Sequence, residues 1–444
     1  MERSPLAWQN LPWQGWQGAL LVFPVVPVWG GAMLLVAATA LGWQYRGAIG
    51  ARPLNWGWAL WSVGVLASCA LAARPLTALL GAANFLPFVA LFAILSAVLQ
   101  VPAQLRRLAW LLALGSVPVF GLGLGQMWGG WTTPTAWSTP WLLGWDLDAG
   151  GDPVGWMASV FTNANHLAAY AFPIGLLALE LALEAYRDWR RHSSSGGALR
   201  LLGASAIALG NGSAVVLSQS DSALALAVLG GLAFALYLGW TRLAIWSAGA
   251  LVSLAGLVTG AALAPPPLQS GLRVIAPAYW WQRVMAAFYP DRPPARLRTN
   301  QWAFAWERWL DRPWLGWGLR HFSPLYEAQT GHWLGHPHDL VLMLAMEVGA
   351  PLTLLLLALV GVAIVRAVWL LRAWPLAAPV PGAFQWHQDR LLLFGYGVAF
   401  GGCTLFSAFD VPLFDPRTNL VGWLLLAGLA GVTHRYRALL RWRP

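Results

Sequence analysis

Long apolar runs alternate along the chain with short polar or charged breaks. A helix rises 1.5 Å per residue, so about 20 mostly apolar residues cross the hydrocarbon core of a bilayer. Runs of that length lie at 17–43, 55–73, 82–100, 107–126, 165–184, 201–219, 222–240, 243–264, 340–366, 391–409 and 419–435. Pro24, Pro27, Gly30 and Gly31 can break the first run into a hairpin of two short helices. The pattern therefore predicts an all-α polytopic membrane protein with eleven or twelve transmembrane helices. In the longest polar stretch, TNQWAFAWERWLDR at 299–312 has helical periodicity, with Trp302, Ala305, Trp306 and Trp309 on one face. Thr299 or Asn300 can cap this helix and Pro313 ends it. Its tryptophan face is expected to lie down on the membrane interface.

Composition narrows the class. Apolar residues make up 58% of 444 and charged residues only 10%, with mean hydropathy +0.57. Soluble domains are about a quarter charged, so most of this surface must face lipid. The net charge of +10 comes entirely from arginine. Nucleic acid is not implied, because the charges sit at the ends of apolar segments, where they suit anionic headgroups. Cys69 and Cys403 fall inside apolar runs and predict no disulfide framework. No cleavable signal peptide is evident at the start, where Trp8, Trp13 and Trp16 are expected to anchor at the interface.

Arginine placement orients the bundle. Arg46, Arg52, Arg106, Arg107, Arg187, Arg190, Arg191 and Arg200, with Arg435, Arg437, Arg441 and Arg443 of the tail, fall on one side, expected to be cytoplasmic. Loops 127–164 and 265–338 then face outward. Three regions follow: an N-terminal bundle at 1–264, a large outer loop with short helices at 265–338, and C-terminal spans with a basic tail at 339–444. The large loop holds Arg273, Arg283, Arg292, Arg296, Arg298, Arg308, Arg312 and Arg320 against Asp291, Glu307, Asp311 and Glu327. Long loops are exempt from the positive-inside rule. These arginines can stack on tryptophans and snorkel to headgroups, or they can form an anion site.

Three clusters can carry chemistry. FTNANHLAAY at 161–170 gathers Asn163, Asn165 and His166 at the outer mouth of a span. It reads either as a helix cap with a headgroup-facing histidine or as a binding cluster. GHPHDL at 335–340 precedes a long apolar run. Pro337 keeps His336 extended, and His338 and Asp339 fall at the helix start. A neutral histidine there is a competent general base. His336 and His338 can also be half of a metal site, but the sequence offers no clear third and fourth ligands, so no metal is expected. Glu347, an acid within the run, lies roughly 13 Å from His338 on the opposite helix face and reads as structural. Asp410 and Arg417 bracket a short outer loop as weaker candidates. No phosphate-binding loop, dinucleotide fingerprint, HExxH or GxSxG occurs, so an activated substrate must supply the energy for any transfer.

Taken in order, FTNANHLAAY, then Arg298 with Trp302 and DRPWLGWGLRHF at 311–322, then HPHDLVLMLAMEVG at 336–349, resemble the O-antigen ligase and polymerase family of bacterial membrane glycosyltransferases. The central block is cyanobacterial in style. The resemblance implies a GT-C-like helical fold and a bacterial inner-membrane enzyme with its site facing the periplasm. It implies transfer of a glycan from an undecaprenyl-diphosphate carrier to a hydroxyl of a glycan, lipid A core or protein, without metal or other cofactor. It also implies His338 as base and Arg298 on the diphosphate, with Arg296, Arg320, Asn163, Asn165 and His166 binding substrate. Where many members carry Ser-Arg, this chain reads LSQSDS at 217–222 with Asp221, and Asp339 stands where Asn often follows the histidine. The competing reading is a secondary transporter, whose ionisable groups should lie near the midplane among repeats. Here they gather at one face, and no repeat is apparent.

Overall fold

The computed structural model describes residues 10–137, 139, 142–288, 294–374 and 383–437. Trp8, Asp291, Arg292, Arg441 and Arg443 lie outside the described residues. Among those described, all regular elements are helical. Six helices are long and apolar enough to cross a membrane: Pro75–Val98, Pro102–Trp128, Ala164–His192, Ser195–Leu217, Thr241–Leu263 and Ala350–Ala373. Helices Pro27–Gln44, Pro53–Ala70, Ala383–Phe406 and Pro416–Arg435 have comparable length, and Asp221–Tyr237 is shorter but apolar. Most of Thr241–Leu263 and Ala350–Ala373 is left unburied by protein, as lipid-facing helices require. The protein is a polytopic all-α membrane protein.

The run 17–43 resolves into two helices, Leu11–Val22 and Pro27–Gln44. Pro27 starts the second, and a Cβ on Gly30 would meet the Phe23 Cα at 2.5 Å, so the hairpin closes on a glycine. The run 340–366, expected as one helix, is instead Leu340–Val348 and Ala350–Ala373. Gly349 breaks it with φ of 82°, and Pro351 follows at once. The amphipathic helix spans Arg298–Asp311, so Thr299 and Asn300 sit inside its first turn and do not cap it. Its buried positions are Gln301, Phe304 and Ala305, while Trp306 is 52% exposed.

The chain forms two compact units, Met1–Ala227 with Ala305–Pro444, and Val228–Phe304. In the first, Ala164–His192 is the central helix and packs on Pro102–Trp128, Ser195–Leu217 and Ala383–Phe406. One end of this bundle is pinned by ion pairs. Arg106 binds Glu184 at 2.6 Å and Asp389 at 2.9 Å, and Arg200 binds Asp188 at 2.9 Å. These join the ends of four helices, and the partly sheltered charge of Arg106 is satisfied by its two carboxylates. The opposite end carries the loops 129–163, 312–339 and 407–415.

In the second unit, helices Pro266–Ile275 and Ala278–Phe288 follow Thr241–Leu263. Arg273 donates to the Ala261 carbonyl at 2.9 Å and lies over the Trp281 ring at 4.4 Å. Arg283 pairs with Tyr279.

The DRPWLGWGLRHF segment is strapped to the break at Gly349. Trp317 N–H donates to the Met346 carbonyl at 3.0 Å, Gly318 N–H to the Glu347 carbonyl at 2.7 Å, and Ala350 N–H to the Pro313 carbonyl at 2.8 Å. The glycines are required by contact as well as conformation. A Cβ on Gly316 would meet Glu347 backbone at 2.4 Å, and one on Gly349 would meet the Trp314 oxygen at 2.2 Å. Both residues have positive φ. Gly349→Ala is therefore expected to cost at least ~2 kcal/mol and lower the melting temperature of purified protein in detergent. Gly361→Ala, in a helix with open space around it, should leave that temperature unchanged or raise it. Equal melting temperatures for wild type and Gly349→Ala would show that the strap does not depend on close backbone approach.

Candidate functional site

His338 stands two residues before the helix Leu340–Val348, whose N-cap is Asp339, with Oδ1 accepting the Leu342 N–H at 2.8 Å. The His338 backbone is left-handed, with φ of 57°, a conformation costly for any residue but glycine. Two hydrogen bonds hold it there. Its N–H donates to His336 Nδ1 at 3.1 Å, and its own Nδ1 lies 2.9 Å from Asp410 Oδ1. Pro337 was expected to keep His336 an extended step away. The turn at His338 instead brings the two rings edge to face, 4.5 Å between centroids, with His336 stacked on Phe414.

These contacts assign the tautomers. Burial pushes the Asp410 carboxyl up, but the His338 hydrogen bond and the charges of both imidazoles outweigh it, and the group is lowered to about 2. An ionised carboxylate only accepts, so His338 carries its proton on Nδ1. Its Nε2 is then an acceptor in the neutral ring. His336 Nδ1 accepts a backbone proton, so that ring is protonated on Nε2, 3.6 Å from Asp410 Oδ1.

Sequence reasoning missed Asp410 as the partner because it lies 72 residues beyond His338, across three helices. The expectation that His336 and His338 lack a third metal ligand also needs correction. His336, His338 and Asp410 bring their ligand atoms within 4.8 Å of one another, a donor set that fits a cation. To ligate through Nδ1, His338 would have to give up the hydrogen bond that Asp410 now accepts.

The FTNANH segment meets the same region. Asn163 caps the helix Ala164–His192, its Oδ1 accepting the His166 N–H at 3.0 Å, so this side chain is committed to the fold. His166 Nδ1 bonds Thr162 Oγ1 at 3.0 Å, and the charges of Asp415, Asp410 and Arg417 act on its ring. His166 and His338 thus share one carboxylate neighbourhood. Asn165 is half-buried in the first turn of that helix. Arg417 is no free anion ligand. It is buried, pairs with both oxygens of Asp415, donates to the Val160 carbonyl at 2.7 Å and lies 4.1 Å over the Phe161 ring.

Glu347 is buried and structural as expected, but its partner is backbone: Oε1 accepts the Phe322 N–H at 3.1 Å. The loop arginines divide by contact. Arg273 and Arg283 are engaged as above, Arg308 pairs with Asp311 at 3.0 Å, and Arg312 lies over Trp317 at 4.2 Å. Arg296, Arg298 and Arg320 are exposed, and their side chains make no hydrogen bond or ion pair with any described residue, although the Arg320 backbone N–H donates to the Glu347 carboxylate and its charge acts on that group. Arg298 opens its helix, Arg296 ends the 3-10 turn Pro294–Arg296, and both belong to the second unit. Arg320, in the first unit, has φ of 61°.

An apolar cavity of about 200 Å³ lies against the histidine site. Leu340 and Pro412 line it, two residues from His338 and from Asp410, and Phe172, Leu344, Phe400 and Trp423 continue the wall.

No curated protein matches the chain. Residues 204–357 match the family model described as O-Antigen ligase, a span that takes in Arg296, Arg298, Arg320, His336 and His338. That segment is similar to the O-antigen ligase domain, and it is set in a chain of membrane helices.

Proposed function

We propose that the protein transfers a glycan from an undecaprenyl-diphosphate carrier to an acceptor hydroxyl at the outer, periplasmic face of the bacterial inner membrane. The His338–Asp410 pair carries this reading. Asp410 fixes the Nδ1–H tautomer and favours the imidazolium that forms, leaving Nε2 to take the acceptor proton. The hydroxyl oxygen attacks the anomeric carbon as the carbon–oxygen bond to the diphosphate breaks. The bonding electron pair leaves with the phosphate oxygen. A single displacement inverts that carbon.

Arg298, with Arg296 and Arg320, meets the developing diphosphate charge, since free guanidinium forks match phosphate oxygens. The apolar cavity beside the histidines suits part of the carrier's prenyl chain. In this arrangement 1–264 and 339–444 supply the membrane body, 265–338 supplies the arginines, and the basic tail faces the cytoplasm. Asn165 and His166 lie on the acceptor side. The transporter reading is not favoured, because the histidines, Asp410 and Arg320 lie on loops at one end of the bundle and not along a path through it.

His338→Ala should lower transfer by roughly 10²–10⁴-fold while the protein stays folded and binds lipid-linked donor. Asp410→Asn should lose a comparable factor, because an amide no longer dictates the Nδ1–H tautomer. His336→Ala should be milder, removing only the acceptor for the His338 N–H. Wild-type turnover in His338→Ala together with a dead His166→Ala would move the base to the FTNANH segment.

Arg298→Ala is expected to raise the donor requirement far more than Arg435→Ala, and Arg298→Lys should not restore it, because lysine lacks the bidentate fork. Equal effects at both positions would assign the loop's charge to general membrane attraction.

Transfer should survive chelation with EDTA. Loss of activity and its return with zinc would instead give His336, His338 and Asp410 to a metal.

A further inference from the structure

A second cavity, of about 360 Å³, opens in the 129–163 loop. Ligand pockets run upward from about 300 Å³, so it can hold a small molecule. Its floor is buried: Gln126 is 1% exposed, Phe161 2% and Trp145 9%. Its rim is exposed and acidic, formed by Asp146, Asp148 and Asp152. None of these carboxylates forms a hydrogen bond or ion pair through its side chain with any described residue.

Gln126 points to a ligand. Its Oε1 accepts two backbone protons, from Ala158 at 3.1 Å and Ser159 at 2.8 Å. Those two donors fix the amide orientation, so Nε2 is the end left over, and it donates to no described residue. On a side chain this buried and lining a cavity, an amide N–H that donates to no described residue is a donor available to a ligand.

The frame is rigid. Trp145 Nε1 donates to the Val25 carbonyl at 2.6 Å, Leu147 N–H to Thr133 Oγ1 at 2.9 Å, and Gly150 N–H to the Gln126 carbonyl at 2.8 Å. Thr162, also on the wall, bonds His166 and so joins this cavity to the histidine region.

We propose that this cavity is a saccharide subsite that takes a neutral or amino-bearing sugar unit of a transferred or accepting glycan, a proposal that rests on the glycan-transfer reading above. Aromatic floor, carboxylate rim and one amide donor match a molecule with an apolar C–H face, many hydroxyl donors and ring or carbonyl acceptors. Three carboxylates with no arginine in the cavity lining disfavour phosphate and uronic acid by like-charge repulsion. They are not gathered as cation ligands either. Among the described residues the only group brought together in that way is His336, His338 and Asp410.

The test uses the full-length protein in nanodiscs on a printed array of neutral, amino and uronic oligosaccharides. Retention of neutral or amino glycans, weakened about tenfold or more by Asp146→Asn with Asp152→Asn, is expected. Gln126→Glu keeps the acceptor for Ala158 and Ser159 and removes the donor, and should weaken retention similarly. His338→Ala should retain wild-type binding, so the subsite can stand even if transfer fails. Competition by soluble acceptor glycan alone would assign the subsite to the acceptor, and competition by soluble glycosyl diphosphate alone to the donor. The proposal is overturned if no glycan is retained, if the aspartate variants bind as wild type, if uronic glycans bind equally well, or if calcium binds while saccharide does not.

Discussion

Arg417 holds together the parts on which the site depends. Arg417 is 4% exposed, and its guanidinium ties Asp415 to the carbonyl of Val160 and stacks on Phe161. It thereby fixes the 407–415 loop, which carries Asp410, against the FTNANH segment, which carries His166. A buried cation cannot be left unpaired without a penalty of about 3–5 kcal/mol, so the segments around it have little freedom to part. Asp410 inherits that rigidity. Only a carboxylate fixed in place can hold His338 in a left-handed backbone and select its tautomer at the same time. The geometry of the histidine is thus imposed from a neighbouring loop, not by its own helix.

The same dependence explains what could and could not be read along the chain. Apolar runs mark spanning helices because the bilayer imposes one length on all of them, and the hairpin at Phe23–Val26 was visible in Pro24, Pro27 and Gly30. The break at Gly349 was not. A single glycine in an apolar run is common, and the φ of 82° arises from the approach of Trp314, which is distant in sequence. His338 stood out because a polar residue before a long apolar helix has few structural uses. Its partner did not, since Asp410 shares no local pattern with it. Arg417 was placed with Asp410 at the outer loop, yet its role as a pairing hub depends on carbonyls 257 and 393 residues away.

The arginines show how far composition reaches. Eight in one loop suggested either stacking or anion binding, and the structure shows the stacking. Arg273, Arg283 and Arg312 lie over aromatic rings and Arg308 pairs with Asp311, while Arg296, Arg298 and Arg320 remain uncommitted. Stacking follows from neighbouring tryptophans and tyrosines that the sequence displays. What distinguishes the remaining three is the absence of such a neighbour among the described residues, which sequence alone does not display. Asp221, the departure from the family pattern, opens the helix Asp221–Tyr237, where a negative charge suits the helix dipole.

Charge also separates the two proposed substrate ends. A diphosphate leaving group requires cations that gain strength as negative charge develops on it. A neutral or amino sugar is better met by acceptors, and cations beside it would gain nothing during the reaction. The chain divides its charge in this way, with uncommitted arginines in 294–320 and uncommitted carboxylates in 146–152. Mixing the two sets in one pocket would neutralise both, because arginine and aspartate within reach pair with each other, as Arg106 does with Glu184. Keeping them on separate segments leaves each free for substrate. On the proposed reading His338 takes the acceptor proton at Nε2 while Asp410 holds its Nδ1–H, so the base belongs to neither charged set.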